Sequence, residues 1–221
     1  MSVFELRRPD LLLVEDERGQ RSFGGDQLWY PKAGYIPGGA CGATVASNMI
    51  VYLLRTRPGL YAAAETRRGT LGLAEPLSDA VNTKAGFMEF MKQVYPFFLP
   101  RAGGLMSDHF CEGMDFFANE YGLSCSTDSI IITVSRSKRQ KSSDVSAFIR
   151  DSLYDDIPVA FLTLSAGQAE GLENWHWVTI IEYDDKAARA KIANNCVVTW
   201  TDVGVWLETS IMGGAFVSLR E

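Results

Sequence analysis

Residues 38–54 read GGACGATVASNMIVYLL. Two glycines open the stretch and a third follows Cys41. Apolar side chains then recur at Val45, Met49, Tyr52 and Leu53, the spacing of one helix face. Ile50, Val51 and Leu54 fill much of the remaining surface, which predicts a helix over 43–54 buried on most sides and ended by Pro58 and Gly59. Cys41 therefore stands at the start of a buried helix, with its sulfur left uncovered by flanking glycines. Two meanings compete. The thiol is a small packing residue in a glycine turn, or it is a nucleophile whose thiolate is favoured by the unpaired N–H groups of a helix N-terminus.

Upstream of this helix, residues 11–14 and 21–23 flank acidic turn residues and predict a small hairpin, and PKAGYIPGGA (31–40) reads as a Pro- and Gly-rich loop. Downstream, residues 61–84 have no firm period and read as loop or short helix. A helix is predicted over 85–95, with Phe87, Phe90, Met91 and Val94 on one side. Another spans 107–121, with Phe110, Met114, Phe117 and Tyr121 in line and Gly122 as its stop. From residue 125 the pattern changes. Strands are predicted at 129–134, 158–164, 175–183, 190–193, 197–200 and 214–219, with a turn at Asp184-Asp185. One helix, 143–153, interrupts them, with serine available as its N-cap. Helices first and antiparallel strands after them predict an α+β fold in one domain over 1–221, a helical lobe (1–124) packed on a β-rich lobe (125–221).

A chain that is 47% hydrophobic and 22% charged is globular in composition. Its net charge of −6 argues against nucleic acid as a partner, because phosphate neutralisation needs clustered Lys and Arg. The one basic cluster, Arg136, Lys138, Arg139 and Lys141, reads as a solvated loop. No run approaches the 18 or so apolar residues of a membrane span, and the N-terminus carries no secretory signal, so no membrane partner is expected. The four cysteines form no CxxC, which points to reduced thiols and a cytoplasmic location.

There are two histidines in the chain, so a base for Cys41 has few candidates. His176, in Trp175-His176-Trp177, lies on a predicted strand whose alternation sets Trp175, Trp177, Thr179 and Ile181 against His176, Val178 and Ile180. It is a hydrogen-bonded core histidine or a general base. Asn194 and Asn195, on the return strand, either end that strand as turn residues or place an amide oxygen against the imidazole. His176 follows Cys41 by 135 residues and Asn194 follows it by 153, close to the spacing of papain-type enzymes. A cleft between the two lobes would hold all three. Other groups carry less. His109 and Cys111 are two apart on a helix and make a poor metal pair, Glu173 and Asp202 could line a cleft but have no assigned role, and no phosphate-binding loop occurs. No metal or organic cofactor is expected.

CGATVASNMIVYL resembles the nucleophile segment of the bacteriocin-processing, double-glycine-leader cysteine peptidases and their stand-alone relatives. HWVTIIEYDD followed by AKIANN resembles the hairpin that carries their histidine and its orienting residue. The resemblance runs from about residue 35 to the C-terminus and is specific in these two segments. It implies a papain-like fold and a thiol hydrolase acting on a peptide or protein substrate, with Cys41 as nucleophile, His176 as base, Asn194 as orienting residue and Asn48 as the helix asparagine. The group carries a glutamine six residues before its cysteine as oxyanion donor. Tyr35 holds that position here, and Gln27 is the nearest upstream glutamine. Tyr35 and Gln27 are therefore the oxyanion candidates. A papain-fold binding module without turnover, or an acyl transferase of transglutaminase-like type, are the alternatives.

Overall fold

A computed structural model of the chain describes residues 2–36, 39–57, 59–60, 79–100 and 104–220. The elements follow in order β1 (Val3–Glu5), β2 (Leu13–Glu15), β3 (Arg21–Phe23), α1 (Cys41–Thr56), α2 (Lys84–Val94), α3 (Ser107–Tyr121), β4 (Ser126–Ile132), α4 (Ser142–Tyr154), β5 (Val159–Thr163), β6 (His176–Asp184), β7 (Arg189–Asn194), β8 (Val197–Asp202), α5 (Val203–Thr209) and β9 (Gly214–Arg220). Seven strands form one antiparallel sheet in the order β4-β9-β5-β6-β7-β8, with β1 paired to the end of β6 beyond β5. Strands β2 and β3 make a separate ribbon. The class is α+β.

Every residue of β5 is buried, because helices cover both faces of the sheet. On one face Ala160, Leu162, Trp177, Ala215 and Val217 pack with α1, α2 and α3. On the other, Val159, Phe161, Val178, Ile180 and Phe216 meet Val145, Ile149 and Leu153 of α4 and Trp206 of α5. Helix α1 is buried continuously from Cys41 to Leu54, as its nearly all-round apolar surface requires. Helix α3 stops where Gly122 takes the left-handed conformation (φ 70°) at its C-terminus.

Four features differ from the sequence reading. Strand β4 starts three residues and ends two residues earlier than expected, because it pairs with β9 from Ser126 opposite Arg220 to Ile132 opposite Gly214, where β9 begins. The carbonyls of Thr133 and Val134 turn to Arg139 instead. Arg139 also donates to Leu207 O (2.8 Å) and Ser210 O (2.7 Å), so this member of the basic cluster pins its loop, while Arg136, Lys138 and Lys141 stay exposed. Helix α4 has Lys141 at its cap position and no side-chain cap, so no serine fills that role. Strand β1 carries the chain's start into the sheet of the second half, and the lobes share that sheet. Of the expected loop at 61–84, residues 61–78 lie outside the described residues. Among the described residues no helix is long and apolar enough to cross a membrane.

Candidate active site

Cys41 is the first residue of α1 and is 7% exposed. The helical ladder begins with Thr44 N donating to Ala40 O, and no side chain caps the helix, so the N–H groups of Cys41, Gly42 and Ala43 stand outside it. The helix is located by Asn48, about two turns further on. Its Oδ1 accepts from Gly25 N (3.0 Å) and its Nδ2 donates to Thr179 Oγ1 (3.0 Å) on β6. A Cβ on Gly24, whose φ is +66°, would lie 2.5 Å from that Oδ1, so the close approach requires glycine. Asn48 thus ties the helix of Cys41 to the strand of His176 and to the segment leading to Gln27.

His176 opens β6 and is 4% exposed. Its Nε2 lies 2.8 Å from Asn194 Oδ1. An amide oxygen only accepts, so Nε2 carries a proton and Nδ1 is left for Cys41. Burial alone would push the imidazole pKa down. The hydrogen bond and charge of Cys41, the Asn194 hydrogen bond and the Glu173 charge outweigh it, and the pKa rises above its ordinary value.

Asn194 is fixed by the turn that follows it. Asn194 pairs with Val197 across a two-residue loop, and Asn195 (φ 44°) and Cys196 (φ 70°) both take the left-handed conformation of a type I′ hairpin turn. The tip of this hairpin clips the segment after β3. Phe23 N donates to Cys196 O (3.2 Å), and Gln27 N donates to Asn195 Oδ1 (3.4 Å). The turn Gln27–Trp29 in turn packs on α1. The Gln27 Oε1 is buried and has no hydrogen-bond partner among the described residues. Tyr35 is placed differently. Its ring packs between Tyr30 and Tyr95, with centroids 5.3 and 4.9 Å away, as part of the helical core.

Beside the Cys41 thiol a cleft of about 320 Å³ is walled by Leu105, Met106, Leu162, Leu164, Trp175 and Trp177. Among the described residues no charged side chain lines it. Trp177 is held by its Nε1 donating to Leu105 O (2.8 Å) and by stacking on Phe110 at 4.3 Å. Trp175 is half exposed and has φ 56°, a strained backbone for a bulky residue. Of these cleft residues the sequence reading singled out Trp175 and Trp177 as the neighbours of His176, whereas Leu105 and Met106 lie where no period marks them. Asp202 is accounted for otherwise, as the N-cap of α5. His109 lies on α3, 3.7 Å from its neighbour Asp108. Among the described residues no three His, Cys, Asp or Glu side chains cluster as metal ligands. No protein-family model matches the chain, and no curated protein matches it in sequence.

Proposed function

We propose that the chain is a papain-like thiol hydrolase that cleaves a peptide or amide bond through Cys41, His176 and Asn194. The observation that carries this reading is the imidazole of His176, buried, interacting with Cys41 on one side and held at 2.8 Å by Asn194 Oδ1 on the other. Cys41 Sγ–H passes its proton to His176 Nδ1, and the resulting thiolate–imidazolium pair is the attacking form. Sulfur adds to the scissile carbonyl, and its oxygen takes the electron pair as an oxyanion. The Cys41 N–H is one donor to that oxyanion. Of the two other candidates, Gln27 is favoured for its place beside the Asn194 hairpin, with its side-chain Nε2–H as the donor, whereas Tyr35 is committed to aromatic packing. His176 Nδ1–H then protonates the leaving amine, and the C–N bond breaks to give a thioester. Water, losing its proton to Nδ1, releases the acid and restores the thiol. The cleft, uncharged among the described residues, fits an apolar side chain of the substrate next to the scissile bond.

Alkylation by iodoacetamide at about pH 6 tests the pair, since a thiol of ordinary pKa near 8.5 is almost wholly protonated there. Cys41 is expected to label first by peptide mapping. Burial pushes the Cys111 thiol up and the Cys196 thiol up to about 11, which keeps both slow. His176→Ala is expected to abolish the selectivity. Four cysteines labelling slowly and alike would leave a papain-fold binding module as the better reading. Turnover is tested on a peptide library, with Cys41→Ala as the control that must be inert.

A further inference from the structure

The carboxylate of Glu173 lies behind the Asn194 amide and is not used by the reaction above. Asn194 Nδ2 faces Glu173 Oε1 at 3.5 Å. Glu173 is exposed, but its attachment point is fixed. The Thr163 hydroxyl on β5 donates to Glu173 O and also lies 3.3 Å from His176 O. The same loop is closed by Ala166 N donating to Asn174 Oδ1 (2.8 Å). One hydroxyl on the sheet therefore sets the base and the carboxylate relative to each other.

An asparagine amide can face a partner with either its oxygen or its NH₂ group, and its other neighbour decides which. A carboxylate accepts only. We propose that Glu173 is a positioning residue of this site: by accepting from Asn194 Nδ2 it holds Asn194 Oδ1 toward His176, and so selects the ring tautomer with the proton on Nε2. This rests on the reading of Cys41 as nucleophile. In that tautomer Nδ1 has the lone pair that takes the Cys41 proton. With the amide reversed, Asn194 Nδ2 would donate to Nε2, the neutral ring would carry its proton on Nδ1, and the thiol would have no acceptor. The charged or titratable groups facing the ring are Cys41 from α1 and Glu173 from the loop, with the neutral Asn194 from β7.

Glu173→Lys replaces the acceptor by a donor, to which Asn194 must present its oxygen. The tautomer of neutral His176 is read from its ring ¹⁵N shifts, which are simple to assign with two histidines in the chain. Wild type is expected to show Nε2–H. Glu173→Lys is expected to show Nδ1–H and to slow Cys41 alkylation by about tenfold or more, the scale of one lost hydrogen bond to a charged group. Adding Asn194→Asp gives two acceptor oxygens, one for each neighbour, and is expected to restore both the tautomer and the rate. Glu173→Gln keeps an acceptor but loses the charge, so it is expected to keep the Nε2–H form while His176 titrates lower than in wild type. Glu173→Lys with the wild-type tautomer overturns the proposal, however Cys41 reacts. Slow, unselective labelling of wild type instead overturns the nucleophile reading, and the tautomer measurement still decides the role of Glu173.

Discussion

Asn48→Ala tests the tether that brings the two halves of the candidate site together. Asn48 is 2% exposed and makes two hydrogen bonds, from Gly25 N and to Thr179 Oγ1, each 3.0 Å. Truncation leaves a buried backbone N–H and a buried hydroxyl without these partners, and an orphaned group of this kind costs about 1–3 kcal/mol. The Thr179 hydroxyl can rotate, and the space vacated is polar enough to take a water, so both effects sit toward the lower end. The expected loss is about 2–4 kcal/mol. With a urea m-value of about 2–3 kcal/mol/M, the unfolding midpoint falls by roughly 1 M with m unchanged. Thr179→Val is expected to cost about 1 kcal/mol, and the double mutant to cost less than the sum by 0.5 kcal/mol or more, roughly the coupling of directly bonded residues. A midpoint shift below about 0.3 M, or strict additivity with Thr179→Val, would refute the assignment of Asn48 as the tie between α1, β6 and the Gly24-Gly25 segment.

Three further outcomes are expected. His176 has a folded-state pKa raised above its ordinary 6.5, so its contribution to stability is fully present below that value and is lost as pH rises through the folded pKa. The deficit of His176→Gln against wild type in urea unfolding is therefore larger at about pH 5 than at about pH 9, and the opposite order would contradict the Cys41–His176 pairing. A Cβ at Gly213 (φ +72°) would lie 2.0 Å from the backbone oxygen of Ile132, whereas one at Gly34 (φ +82°) meets nothing within 4 Å. Gly213→Ala should then cost about 2–4 kcal/mol and Gly34→Ala only about 1, measured by thermal unfolding. Cys196→Gly removes a side chain from the second position of a type I′ turn and is expected to raise stability by about 0.5–1 kcal/mol, with a lowered Tm refuting the strain.

The parts of this molecule that were legible in its sequence are those where periodicity carries the information. The buried surface of α1, the aromatic faces of α2 and α3 and the apolar runs of β5, β6 and β9 each stand in the structure within a few residues of where the pattern sets them. On β6 the alternation predicts Trp177, Thr179 and Ile181 on one face. Trp177 and Thr179 do meet α1 and its core, yet Ile181 packs with the opposite core, because a bulge between Ile180 and Glu182 shifts the phase. A bulge leaves no periodic trace. Partners distant in the chain are hidden for the same reason. Arg139 reads as one more solvated cation until the carbonyls of Leu207 and Ser210 arrive beside it.

For the oxyanion donor of the proposed reaction, a sequence offset and a contact point to different residues. Counting back six residues from Cys41 reaches Tyr35, which the fold spends on Tyr30 and Tyr95. Gln27 lies further back in the chain, but the Asn195 turn holds its backbone next to Asn194, which contacts His176. If the proposed reaction holds, Gln27→Ala should lower kcat by about 10²–10³ while Tyr35→Phe, which keeps the ring packing and removes only the hydroxyl, leaves kcat within a few-fold of wild type. The reverse pattern would return the role to Tyr35. The spacing from Cys41 to the donor would then follow the papain-type offset after all.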